Sequence, residues 1–205
     1  MTYQLFYNQW HHLACFSTAQ VKAIYHDFHR GNYLRWQKAG YIVPLSRSWY
    51  AFADYLSKPD FARYIANRIY APSYISLHTA LAYYGIIPEA VVAITSVTTR
   101  KTMQIDNAFA SYSYQTVKPS MFWGYEPKQM QDGQAFLMAT PEKAIIDLLY
   151  LYPQYDTADE LLELRLDDYF LHNELNTDRL REYAERTLSA SVQIRVKRLI
   201  KAYEL

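Results

Sequence analysis

The chain has 205 residues, of which 51% are hydrophobic, 17% aromatic and 20% charged, with 21 Lys and Arg against 20 Asp and Glu. Such an apolar share fills a core, which excludes disorder, and the length allows one large domain or two small ones. The net charge of +1 names no partner, and the longest apolar runs, such as Ala90–Ile94, hold five residues where a membrane span needs roughly 20.

No Lys or Arg precedes Lys22, so a secretory signal with a basic start is not expected, and the lone Cys15 can build neither an internal disulfide nor a multi-thiolate metal site. A cytoplasmic protein with no membrane partner follows as the expectation. Charge along the chain is uneven. Residues 1–58 carry six Lys and Arg against two acids and four of the six histidines, residues 59–153 balance at seven and seven, and residues 154–205 carry eight bases and eleven acids. A basic head on a neutral-to-acidic body suits a polyanion-binding module attached to something else, although an excess of four charges also arises by chance.

The opening run Tyr3 to Cys15 places Phe6, Trp10 and Leu13 near helical spacing with no breaker. In Phe16-Ser17-Thr18-Ala19-Gln20-Val21, Ser17 and Gln20 form a capping box and Phe16 can staple onto Val21, so a second helix is expected to about His26. A third, from about Asn32 to Ala39, should end at Gly40. On it Tyr33, Trp36 and Gly40 share one face and Asn32, Arg35 and Lys38 another. Tyr41–Val43 and Trp49–Phe52 are β-prone and flank Pro44–Ser48, a hairpin with a basic tip.

Three helices followed by such a hairpin is the order of a winged helix-turn-helix, whose last helix enters the major groove of DNA while the wing lies on the backbone. Residues 1–57 are read as that DNA-binding domain. Lys22, Arg30, Asn32, Arg35, Lys38 and Arg47 are its candidate contacts, with Arg35 suited to guanine and Asn32 to adenine. Any one of these side chains could merely solubilise the surface; it is the constellation that favours duplex DNA.

Residues 58–205 read as a mixed α/β body, making the fold class α+β: a winged helix-turn-helix, then a small, mainly antiparallel sheet over about residues 90–139 and a helical tail over 155–205. Ser57-Lys58-Pro59 opens a helix with Phe61, Ile65 and Ile69 on one stripe, stopped before Pro72. Tyr74-Ile75 is short and extended. Ser76 can cap a helix closed by Gly85, and strands are expected at Ala90–Thr99, Ala108–Val117, Met121–Tyr125 and Ala135–Ala139, the last two separated by a turn at Gln131–Gln134. Thr140-Pro141-Glu142 starts a helix whose Ile145, Ile146, Leu148, Leu149 and Tyr152 should be deeply packed. Helix starts follow at Thr157–Glu160, Asn176–Asp178 and Ser189/Ser191.

None of GxGxxG, GxxxxGK[ST], HExxH or GxSxG occurs, so neither catalytic residues, nor a metal, nor a cofactor are expected. His11 and His12 should point to different sides of a helix, His78 reads as a structural histidine, Asp167 and Asp168 as solvated, and Glu142 and Asp147 as serving the helix dipole and a local contact. Thr98, Thr99, Arg100 and Lys101 end a strand with hydroxyls and then cations. That suits either a phosphate or acidic partner, or an edge protected by charge.

Three blocks carry a family resemblance. Ala71-Pro72-Ser73-Tyr74-Ile75-Ser76-Leu77 with Ala80-Leu81 and Tyr83-Tyr84-Gly85, then Ile87-Pro88-Glu89-Ala90 with Thr95–Lys101, then Ala139–Ala144 with Asp147-Leu148-Leu149-Tyr150, together resemble the AbiEi family of antitoxins over residues 65–152. The resemblance implies an antitoxin and transcriptional regulator of a bacterial type IV toxin–antitoxin or phage-resistance pair. Its head would repress its own promoter at inverted repeats, and its body would antagonise a nucleotidyltransferase-like toxin. The competing expectation is a protein-interaction adaptor that uses the winged helix and the Thr98–Lys101 edge without DNA.

Overall fold

The computed structural model describes residues 1–205 except Ala90 and Asp132. Among the described residues the fold is α+β, with ten α-helices, a three-stranded antiparallel sheet near the N-terminus and a six-stranded mixed sheet beyond it.

The head begins with α1 (Tyr3–Trp10), started by the Thr2 hydroxyl accepting from the Leu5 amide. The expected single helix to Cys15 does not form. A 3₁₀ turn over His11–Leu13 closes it, Ala14 takes a positive φ of 61°, and Cys15–Ser17 becomes strand β1. Helix α2 (Thr18–Ile24) starts with the expected reciprocal cap: the Gln20 amide donates to the Ser17 hydroxyl at 3.1 Å and the Ser17 amide to Gln20 Oε1 at 2.8 Å. Helix α3 (Gly31–Lys38) runs to Gly40, whose φ of +73° is the left-handed turn that lets the chain leave without a Cβ penalty.

The hairpin is longer than expected. β2 (Ile42–Ser46) continues through Pro44 with a register shift, and only the Arg47-Ser48 tip turns the chain into β3 (Trp49–Phe52). The strand persists because Leu45 is buried and anchors it, while an edge position tolerates the missing N–H of Pro44. β1 pairs with the far side of β3, so β3 is central. Phe6, Trp10, Phe16, Val21, Trp36 and Phe52 fill the space between helices and sheet, with the Phe6 ring 4.8 Å from Trp36 and 4.9 Å from Phe16. Phe16 and Val21, the expected staple, are both fully buried.

Helix α4 (Phe61–Ile69) leads into the six-stranded sheet, whose strands are β4 (Ser73–Ile75), β5 (Ala93–Thr98), β6 (Met103–Asp106), β7 (Ser111–Thr116), β8 (Tyr125–Gln129) and β9 (Ala135–Ala139). Their spatial order is β6-β7-β5-β4-β9-β8. The pairs β5–β7 and β4–β9 are parallel and the other three antiparallel, so the sheet is larger and more mixed than expected. β6 escapes the sequence reading because Met103 and Gln104 lie exposed on the sheet edge, where no apolar alternation is needed. The expected strand at Met121–Tyr125 is instead a 3₁₀ turn over Pro119–Met121 and an irregular link, with β8 starting only at Tyr125. Of the expected strand at 90–99 and turn at 131–134, Ala90 and Asp132 lie outside the described residues.

Helices α5 (Leu77–Tyr83) and α6 (Pro141–Leu151) pack on each other, and the tail adds α7 (Ala158–Leu162), α8 (Asp168–Asn173), α9 (Thr177–Arg186) and α10 (Ala190–Ala202). Ile145, Ile146, Leu148 and Leu149 are buried as expected, whereas Tyr152 is only half-buried because it follows the last turn of α6. Among the described residues no helix is long and apolar enough to cross a membrane.

Head and body touch at specific points. Asn107 Nδ2 donates to the Leu45 carbonyl at 3.0 Å, Tyr64 Oη to the Leu13 carbonyl at 3.1 Å, and the Tyr55 and Phe61 rings lie 4.9 Å apart. The body loop between β6 and β7 therefore props the head's hairpin.

Candidate nucleic-acid interface

On α3 the spacing of Tyr33 and Trp36 puts both rings into the head core, where they are 5% and 2% exposed. That orientation turns the opposite side of the helix outward. Leu34, Arg35, Gln37 and Lys38 are all exposed there, with Leu34 at 63%. Arg35 Nη2 donates to Asn32 Oδ1 at 2.9 Å, one turn back. Asn32 is half-buried and its oxygen is already used, so it orients Arg35; the expected two-point contact to adenine would require that bond to be given up.

Lys22 projects from α2, Arg30 precedes α3, and Arg47 occupies the hairpin tip; all three are exposed. Among the described residues none of Lys22, Arg30, Arg35, Lys38 and Arg47 forms an ion pair. Of the head's two acids, Asp54 is engaged by His11 Nε2 at 2.6 Å and by Tyr7 Oη at 2.8 Å, and the exposed Asp27 forms no ion pair among the described residues. At the start of α3, Gly31 leaves room for the His29 ring, which a Cβ would approach to 2.8 Å.

The second candidate cluster is more committed. Thr98 is buried, donates to the Pro72 carbonyl at 2.7 Å and accepts from the Arg100 amide at 3.1 Å. Arg100 lies over the Tyr70 ring at 4.4 Å and donates to the Ala71 carbonyl at 3.2 Å. The Lys101 carbonyl accepts from Tyr70 Oη at 2.7 Å, leaving its ammonium at the exposed surface beside the half-buried Thr99. Most of this polarity ties β5 to the β4 approach.

Sequence reasoning passed over a polar centre inside the body. Lys143 and Asp147, one turn apart on α6, are both fully buried and ion-paired. Asp147 also accepts from Tyr74 Oη at 2.9 Å and from Ser76 Oγ at 2.8 Å, and the Lys143 ammonium faces the Trp123 ring at 4.6 Å. Burial pushes the Asp147 carboxyl above the usual carboxylate range, opposed by the Lys143 charge and the three hydrogen bonds. Ser76, expected to cap α5, spends its hydroxyl here instead. Gly124, at φ +74°, lets the backbone pass where a Cβ would come within 2.9 Å of Lys143 Cγ. Arg186 of α9 also lies over the Trp123 ring, at 4.3 Å.

Glu142 is likewise more than a dipole residue. It is buried, its Oε1 accepts from the Asn176 amide at 3.2 Å, and Arg179 lies 3.6 Å from its Oε2, which seats the start of α9 on α6. Asp167 caps α8 by accepting from the Phe170 amide at 2.8 Å, and Asp168 is exposed. His12 is exposed, and His78 is half-buried against Tyr152, burial holding its pKa below the usual imidazole value. A Lys–Asp pair at i, i+4 inside an otherwise apolar helix was the signal available in the sequence. Tyr74, Ser76, Thr95, Lys143 and Asp147 come from the three resembling blocks, and the structure gathers them around β4, where Thr95 Oγ1 donates to the Ser76 carbonyl at 2.8 Å.

Among the described residues no group of three or more His, Cys, Asp and Glu is placed to hold a metal ion. No protein-family model matches the chain, and no curated protein matches it.

Proposed function

We propose that the head is a winged helix-turn-helix that binds double-stranded DNA, with α3 in the major groove and the Arg47 hairpin on the backbone, and that the protein represses its own promoter. The observation that carries this reading is the set of five exposed cations, Lys22, Arg30, Arg35, Lys38 and Arg47, free of ion pairs among the described residues and borne by the two helices and hairpin of one small unit. With no acid paired to them among the described residues, these side chains are available to phosphate. The antitoxin role of the body, against a nucleotidyltransferase-like toxin, is supported by the resemblance of its three blocks to AbiEi proteins.

A gel-shift titration on the gene's upstream repeats tests the head. Five phosphate contacts give a log–log salt slope of about −4 to −5. Arg35→Ala with Lys38→Ala lowers affinity and flattens the slope by about 2; binding as tight as the parent's would overturn the reading. Co-expression with a neighbouring toxin gene tests the body, where failure to rescue growth leaves only the repressor.

A further inference from the structure

A cleft of about 330 Å³ opens on the body beside the segment that joins it to the head, outside the surface described above. It is lined by Lys58 and Asp60 of the connecting segment, Arg63 of α4, Tyr83 of α5, Ile94 of β5 and Phe109 of the loop that props the hairpin. Its volume lies at the lower end of small-ligand sites, roughly 300–1,000 Å³. Two features set it apart from a packing defect. The Arg63 Nε–H is cut off from solvent with no acceptor among the described residues, an orphaned charged donor in a place where such groups are costly. The same guanidinium lies over the Tyr83 ring, 5.3 Å from its centroid, and the tyrosine is still 42% exposed, so a cation and an aromatic ring line the cleft together.

Asp60 takes one edge of Arg63 through Nη1, and Lys58 adds a second cation, leaving the lining with one net positive charge. Ile94 and Phe109 add apolar surface to the lining. A ligand that fits this lining carries one anionic group to accept from Lys58 and from the end of the Arg63 guanidinium that Asp60 leaves free, and a flat apolar or aromatic portion to lie against Tyr83 and Phe109. We infer that this cleft is a binding site for a small planar anion, of the size of a mononucleotide or an aromatic carboxylate. The inference does not depend on DNA binding by the head.

Isothermal titration of the full chain with adenosine monophosphate and with benzoate tests it, with inorganic phosphate as the ringless control. At least one planar anion binds saturably at one site and more tightly than phosphate. Arg63→Gln weakens that binding about ten- to hundredfold, the worth of a charged hydrogen bond, and Tyr83→Ala weakens it by up to about tenfold. The Arg35→Ala, Lys38→Ala variant binds the probe as the parent does, which separates this site from the head. Circular dichroism melts verify that the Arg63 and Tyr83 variants fold, and amide chemical-shift changes at Ala62 and Ala82 locate the ligand in the parent. No binding of either planar probe, phosphate binding as tight as both, or affinity untouched by Arg63→Gln would each overturn the inference.

Discussion

The head and the body use the same charged residues to opposite ends. On the head, Lys38 and Arg35 stand at the surface of α3 without an ion pair among the described residues, backed by the buried rings of Tyr33 and Trp36. In the body, Lys143 and Asp147 are removed from water altogether and held by each other, two hydroxyls and an aromatic ring. A lysine in the first setting stays in contact with water and is available to a partner. In the second, its charge is tolerable only because every neighbour is arranged around it.

The largest test of that contrast is the same substitution in both places. Lys143→Met strands the Asp147 carboxylate in the interior and should cost about 3–5 kcal/mol in urea unfolding at neutral pH. Lys38→Met should change stability by no more than about 0.5 kcal/mol. Similar values would mean that the buried pair is not what organises the body. The penalty at Lys143 should also shrink in acid. A carboxyl whose folded pKa is raised contributes stability that is complete below its unfolded value, near 3.8, and lost as the pH rises through the folded one.

Next in size is Gly124→Ala. It imposes a side chain on a left-handed backbone and drives a Cβ into the Lys143 stem, for about 1–3 kcal/mol. A smaller loss there would show that Lys143 has room to move, which near-ultraviolet circular dichroism of Trp123 would register. Ser17→Ala removes one half of the head's capping box and should cost about 1 kcal/mol. The tail supplies the mildest case. Arg198 and Arg195 hold the Asp156 carboxyl below its usual range, so its contribution is present above about pH 4 and lost as pH falls through the folded value. Asp156→Asn should therefore differ from the parent in melting temperature at neutral pH and converge with it in strong acid.

Local chemistry made much of the fold legible. The Ser17–Gln20 and Thr157–Glu160 boxes, the Thr140-Pro141 start and the Gly40 stop are decided within four or five residues, and each forms where the sequence places it. The exposed face of α3 was readable for the same reason, since aromatic spacing alone determines which side turns inward. Misread elements depend on distant partners. Cys15–Ser17 is a strand only because β3 runs beside it, and Met103–Asp106 only because β7 offers an edge.

What the amino-acid order determined by itself, then, is where helices begin and end and which of their faces are apolar, because capping and periodicity act between neighbours in the chain. Only the tertiary structure decided which polar residues work inward and which outward. Lys143, Asp147, Ser76 and Thr98 carry the same functional groups as residues on the head, yet are committed to internal partners 4 to 73 positions away. Desolvation is a property of the assembled interior; the i, i+4 spacing of Lys143 and Asp147 hints at the pair, but only the packing around it decides that it is buried.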